Sequence, residues 1–232
     1  MNLNFTPIKL HLLTGMACML AMSIMSCNKD SSSSTSNATL AVIASSPDLP
    51  PTDLYLNGDL FGSNLVYGSY VSYVTISGGT VKVGLDYTGT TTHLTGDTVS
   101  LGANKAYSLF SADLVAKHDH LLVTDTVVAP PSGKATIRLV NMSPNALGVD
   151  LVIGGQVIAS NRSYKQVSSF KAIPTSDNDT LKIVQTGTTN VLGVVSAVTV
   201  QSGVVYTIWL GGFANNLNGY GLNAYLMRNA AF

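Results

Sequence analysis

Few side chains in this 232-residue chain could do chemistry, and they are scattered. His118-Asp119-His120 is the most suggestive group: on a strand, residues two apart share a face, so His118 and His120 could hold one metal with Asp119 turned away. Asp177-Asn178-Asp179 offers the hard oxygen ligands that calcium takes. It lacks the glycine and distal glutamate of a helix–loop–helix calcium site, and Asp and Asn are also ordinary turn residues. Gly133-Lys134-Ala135 ends as a phosphate loop does, but its upstream glycine and its hydroxyl residue are missing. No Gly-x-Ser-x-Gly elbow is present. All 12 acidic residues are Asp, so carboxylate catalysis has candidates but no spacing that pairs them. The chain reads as non-enzymatic, with no cofactor expected.

A softer chemistry is recognition. Tyr70, Tyr73 and Tyr87, with Asn215, Asn216 and Tyr220 in the run "NNLNGYGLNAY", mix aromatic rings with amides, a combination that stacks on sugars or grips peptides. Tyr70, Tyr87, Asn215, Asn216 and Tyr220 are therefore the candidate ligand contacts. Asp97-Thr98-Val99, Asp125-Thr126-Val127 and Asp179-Thr180-Leu181 resemble O-glycosylation sites of secreted Bacteroidota proteins, making Thr98, Thr126 and Thr180 candidate acceptors. The alternative is three strands that begin with Asp-Thr.

The elements that position these residues are strands. β-Branched and turn residues are plentiful and straight-chain helix formers scarce. Charged residues make up only 10% of the chain and the net charge is zero, so no basic face exists to bind nucleic acid. Beyond the N-terminus no apolar run reaches the roughly 18 residues of a spanning helix. Cys18 and Cys27 lie in or beside the first apolar run, which excludes a disulfide framework and a Cys-ligated zinc site in the globular part.

Residues 10–26, after the single cation Lys9, have the layout of a secretory signal. Ile24-Met25-Ser26-Cys27 resembles a bacterial lipobox. That resemblance implies a lipidated Cys27, with two acyl chains holding the chain at a bilayer. An ordinary cleavable signal or an uncleaved anchor is the alternative. Lys29-Asp30 resembles part of the Lys-acidic export signal of Bacteroidota surface lipoproteins, which favours the outer leaflet of the outer membrane over the periplasmic face. The serines up to residue 37 form a flexible tether.

Past the tether the chain repeats. Ala38 onward aligns without a gap on Ala135 onward, placing Asp53-Leu54 on Asp150-Leu151, Ser63-Asn64 on Ser160-Asn161 and Tyr67 on Tyr164. Further on, "TVKV" at Thr80 is aligned with "TLKI" at Thr180, and "KAYSLF" at Lys105 with "VVYTIW" at Val204. Strand periodicity is clear. Leu54 and Leu56 alternate with Asp53 and Tyr55, and Asn57-Gly58 supplies a tight hairpin turn. Val204, Tyr206, Ile208 and Leu210 form a stripe with Trp209 opposite. The Ser-Pro pairs at 46 and 143 are expected to end the first strand of each copy, with the Ser hydroxyl bonding backbone. Tyr67 and Tyr164 are expected to bury their rings and tie their hydroxyls to nearby loops. Seven or eight strands per copy predict two tandem β-sandwiches.

Asn141-Met142-Ser143-Pro144-Asn145-Ala146 after "IRLV", followed by "VDLVIGGQVIASN" and a Tyr, resembles the DUF4397 domains of secreted bacterial proteins. The resemblance implies an immunoglobulin-like or transthyretin-like sandwich and no activity. The expected organisation is a signal peptide over 1–26, a tether over 27–37 and sandwiches over 38–131 and 132–232. The expected function is a surface binding or adhesion module for a glycan or protein. The alternative is a periplasm-facing structural or assembly partner of an envelope complex.

Overall fold

The computed structural model describes residues 37–117 and 119–232. The first copy contains β1 (Asn37–Ile43), β2 (Thr52–Leu56), β3 (Asp59–Leu65), β4 (Tyr70–Ser77), β5 (Gly79–Tyr87), β6 (His93–Leu101), β7 (Ala106–Ala112) and β8 (Asp119–Asp125). The second contains β9 (Lys134–Asn141), β10 (Val149–Ile153), β11 (Gln156–Arg162), β12 (Lys171–Pro174), β13 (Ser176–Gln185), β14 (Val191–Val200), β15 (Val204–Gly211) and β16 (Asn223–Ala231). Each copy folds into two four-stranded sheets, ordered β3-β2-β5-β6 and β4-β1-β7-β8 in the first, β11-β10-β13-β14 and β12-β9-β15-β16 in the second. The chain is thus all-β, with two tandem sandwiches. β1 runs parallel to β7, and β9 to β15; the other pairings within these sheets are antiparallel.

Each sandwich has its own core, one around Leu40, Leu54, Val81 and Leu109, the other around Ile137, Leu151, Ile183 and Ile208. A third apolar cluster joins them. Ala41, Ile43 and Phe110 from the first copy meet Val140, Met142, Trp209 and Met227 from the second. The β4-β1-β7-β8 and β12-β9-β15-β16 sheets are therefore inner layers, covered on both faces. That burial explains the continuous apolar run of β15, every residue of which is buried, while β5 in an outer sheet alternates. Trp209 stands opposite the Ile208 stripe because that face is the interface, where it stacks on Tyr225 at 5.1 Å.

A polar network crosses the same interface. Arg138 of β9 pairs with Asp125 of β8 at 2.6 Å, with both side chains almost fully buried. The guanidinium also donates to Thr207 and Ser108 and lies over the Phe170 ring. Asp125 accepts further from the Tyr73 and Ser108 hydroxyls, and Asn229 donates to Tyr73. Burial first, then the Asp125 charge, pushes the Tyr73 phenol up to about 12, so it stays a donor. Buried charge is tolerated here because both partners are hydrogen-bonded.

Three expectations change. The tyrosines tie the two copies together rather than bracing local loops. The Tyr67 ring packs edge-on against Tyr225, its hydroxyl so close to Gly211 that a Cβ there would lie 2.6 Å away. Tyr164 donates to Asp119 at 3.4 Å, and Lys165 pairs with the same carboxylate at 2.5 Å. The Ser143 hydroxyl is buried without a hydrogen bond; the Asn141 side chain holds that turn instead, accepting from the Ser143 N–H at 3.0 Å. The third change is a register. Leu54 pairs with Leu85 and its counterpart Leu151 with Ile183, so β5 maps onto β13 at an offset of 98 residues, two fewer than the Thr80-on-Thr180 alignment. A two-residue slip keeps every side chain on its face, so periodicity could not detect it. The repeated Thr88-Gly89-Thr90-Thr91 and Thr186-Gly187-Thr188-Thr189 carries the correct offset.

Candidate functional site

Residues common to both copies are framework. Asp53 accepts from the Ser63 hydroxyl at 2.5 Å, the Asn64 N–H at 3.1 Å and the Gly89 N–H at 3.0 Å. Its counterpart Asp150 accepts from the Asn161 N–H and the Thr186 hydroxyl. Each carboxylate pins a left-handed Asn at the end of an edge strand to the Thr-Gly-Thr-Thr turn. Hydrogen bonds from the Gly89 N–H, Ser63 and Asn64 lower the Asp53 carboxyl to about 2. These are structural acids.

Residues that differ between copies single out the outer face of β3-β2-β5-β6. Tyr55 pairs with Gly84, and Gly84 with Gly96, so one cross-strand row reads Tyr-Gly-Gly. Side chains of paired residues share a face, so the ring of Tyr55 borders a floor with no side chains. His93 closes the far end. Its ring lies 3.1 Å from where a Gly96 Cβ would stand, and its Nδ1 pairs with Asp86 at 2.9 Å. Lys82, Thr91 and Thr98 complete the rim of an open trough of about 1060 Å³, solvent side included. The same cross-strand pairings put Val152 of the second copy where the first has Tyr55, at the offset of 97 that the ungapped repeat carries, and at the offset of 98 put Lys182, Val194, Val184 and Val191 where the first has Gly84, Gly96, Asp86 and His93.

A second cleft, behind this sheet, enters the core of the first sandwich among Val42, Leu49, Leu85 and Leu109, and an ion pair between His120 and Asp97 bridges its mouth. In the second copy Ala224 and Val195 replace that pair, and Gly193 backs directly onto Ala224.

The sequence candidates are dispersed. His120 lies on β8 in that ion pair, and His118 lies outside the described residues, as do Cys27, Lys29 and Asp30. Among the described residues no group of three or more His, Cys, Asp or Glu could hold a metal ion. Asp177 and Asp179 sit within β13, where Asp179 accepts from the Thr180 N–H and the Ser176 hydroxyl. Thr98 and Thr126 are exposed, Thr180 half-buried; Asp125, beside Thr126, is the buried partner of Arg138. Tyr70 packs against the interface cluster, while Tyr87 is 41% exposed at the end of β5. Asn215, Asn216 and Tyr220 lie on the β15–β16 loop, braced by Asn145, which donates to Asn215 and accepts from the Ala214 N–H. Tyr87 lies in the first sandwich and that loop in the second.

The family model described as "Domain of unknown function (DUF4397)" matches residues 38–152 and again 135–225. No curated protein matches the sequence. Among solved structures, the chain is similar to CBMbc (family CBM26) from Eubacterium rectale Amy13K, crystallised in complex with maltoheptaose. Identity is 13%, over 84% of this chain and 97% of that one, with a TM-score of 0.26. A structure titled "Alpha-glucan binding by a streptococcal virulence factor" is 8% identical over 72% of this chain and 92% of that one, with a TM-score of 0.24. At these TM-scores neither likeness bears on what this chain binds.

Proposed function

The chain belongs to the DUF4397 family, and we propose that it is a non-enzymatic, lipid-anchored envelope protein that binds a glycan or a protein through the outer face of its first sandwich. One observation carries the reading: the first copy has an open trough with an aromatic wall and a polar rim where the second carries Val152, Lys182 and Val194. The interface supports it, because the buried Arg138–Asp125 pair and the apolar cluster around Trp209 pack the two sandwiches together and reduce the ordering cost of presenting the trough. Cys27 supplies the anchor and the serine run the reach.

Binding of the full chain in detergent to immobilised polysaccharides and envelope proteins tests the function. Retention on at least one class is expected; retention on none across a broad panel would sink it. The anchor has its own test, since Cys27→Ala is expected to move the protein from the membrane to the soluble fraction. Protease shaving of intact cells, native against Lys29→Ala/Asp30→Ala, reads the leaflet: cleavage of the native protein alone marks surface display.

A second reading, an assembly partner of an envelope complex, draws on the outer face of the second sandwich. Val157, Val191 and Val194 are exposed there at 53, 45 and 40%. Cross-linking in cells would favour it by yielding one abundant protein partner through that face.

A further inference from the structure

Resting on the proposed binding role of this face, we infer that the Tyr55–Gly84–Gly96 trough is a saccharide site that takes a pyranose ring of a neutral glycan. Strands lie about 4.8 Å apart, so the row from Tyr55 to Gly96 spans roughly 10 Å, and with the His93 ring over its Gly96 end there is room for one sugar ring. A pyranose offers axial C–H groups on its faces and hydroxyls around its edge. The Tyr55 ring supplies a flat, electron-rich wall for the C–H face. The paired glycines bring no Cβ to the floor; the His93 ring covers its Gly96 end, 3.1 Å from where a Gly96 Cβ would stand, and the Tyr55–Gly84 end is the part a sugar ring can approach closely.

The rim matches the edge. Lys82 and Thr98 face each other across β5 and β6 and bring donors and an acceptor. Asp86 and His93 are held in place by their own 2.9 Å contact, and the His93 ring lies over the Gly96 end of the floor. Lys82 and Asp86 bring one charge of each sign, so neither an anionic nor a cationic polymer is favoured and a neutral polyhydroxyl ligand is.

A peptide fits this place less well. Peptides commonly add as a strand to a free sheet edge; the Tyr55 wall and the Gly84 floor stand on β2 and β5, central strands already paired on both sides, and only the His93–Thr98 side of the trough lies on the edge strand β6. The second copy shows what removes the site: Lys182 and Val194 fill the floor in the same register. That gives a fold-compatible block, because Gly84→Lys installs the residue its counterpart carries, and a Cβ at Gly84 meets only ordinary contacts at 3.8 Å.

The test is calorimetric titration of the full chain in detergent with neutral hexasaccharides of glucose, mannose and xylose in α- and β-linkages. At least one is expected to bind, with Tyr55→Ala weakening it by roughly tenfold or more, Tyr55→Phe retaining it and Gly84→Lys abolishing it. Thermal melts of the variants within a few degrees of native guard against misfolding. Saccharide binding that survives both Tyr55→Ala and Gly84→Lys would overturn the inference, since the sugar would then sit elsewhere. If no saccharide binds while a protein ligand is retained and Gly84→Lys releases it, the saccharide inference fails and the proposed binding face stands. If nothing binds in either format, both fall.

Discussion

Arg138 joins the two sandwiches through a buried ion pair with Asp125, and its removal has a calculable cost. Arg138→Met keeps most of the side-chain volume but strands the Asp125 carboxylate, whose side chain has no exposed surface. Two neutral hydroxyls, of Tyr73 and Ser108, would remain to solvate it. Breaking a buried pair in this way costs about 3–5 kcal/mol. In a chain of this size that corresponds to a fall in Tm of roughly 6–20 °C. The double variant Asp125→Asn/Arg138→Met removes the stranded charge yet keeps an acceptor for both hydroxyls, so its loss should shrink to about 1–2 kcal/mol. Urea titrations of the four proteins in the cycle, followed by far-UV circular dichroism, measure both quantities. A single variant that loses less than about 1 kcal/mol, or a double variant less stable than the single, would refute the reasoning.

Trp209 is the chain's single tryptophan and fully buried at the interface, so its fluorescence should report separation of the sandwiches. The fluorescence and circular dichroism transitions in urea are expected to coincide, and an earlier fluorescence transition would mean that the domains part before they unfold. Trp209→Ala should cost about 3–5 kcal/mol through the cavity it leaves. For Asp53, the folded value of about 2 lies below the ordinary carboxylate value. Its stabilisation is therefore complete above the unfolded pKa of about 3.9 and is lost as pH falls from there toward 2. Melting temperatures from pH 5 to pH 2 should drop more steeply for the native chain than for Asp53→Asn.

Much of the architecture was legible in the residues. The ungapped repeat gave two copies, and the alternation around Leu54 and Ile208 gave strands, but neither shows that β15 is an inner strand buried on both faces. The sequence sets Trp209 opposite the Ile208 stripe, and the structure shows that this second face is buried against the first sandwich. The Arg138–Asp125 pair was not legible, because nothing in the spacing of two charges tells that their sheets stack. The trough was missed for a narrower reason. It exists as a cross-strand row, and its absence from the second copy shows only at the offset of 98 residues. The repeated Thr-Gly-Thr-Thr carried that offset. With it, Gly84 and Gly96 stand against Lys182 and Val194, while the ungapped offset of 97 already sets Tyr55 against Val152. The tyrosines and asparagines chosen for their types were dispersed because composition does not specify a face.

The account's central claim is that binding belongs to the outer face of the first sandwich. The most direct measurement compares three proteins on one panel of immobilised glycans and envelope proteins: the native chain, Gly84→Lys, and Asn215→Ala/Asn216→Ala/Tyr220→Ala. The account predicts that Gly84→Lys loses the native retention and the triple variant keeps it. Retention by Gly84→Lys with loss in the triple variant would contradict it and move the site to the β15–β16 loop.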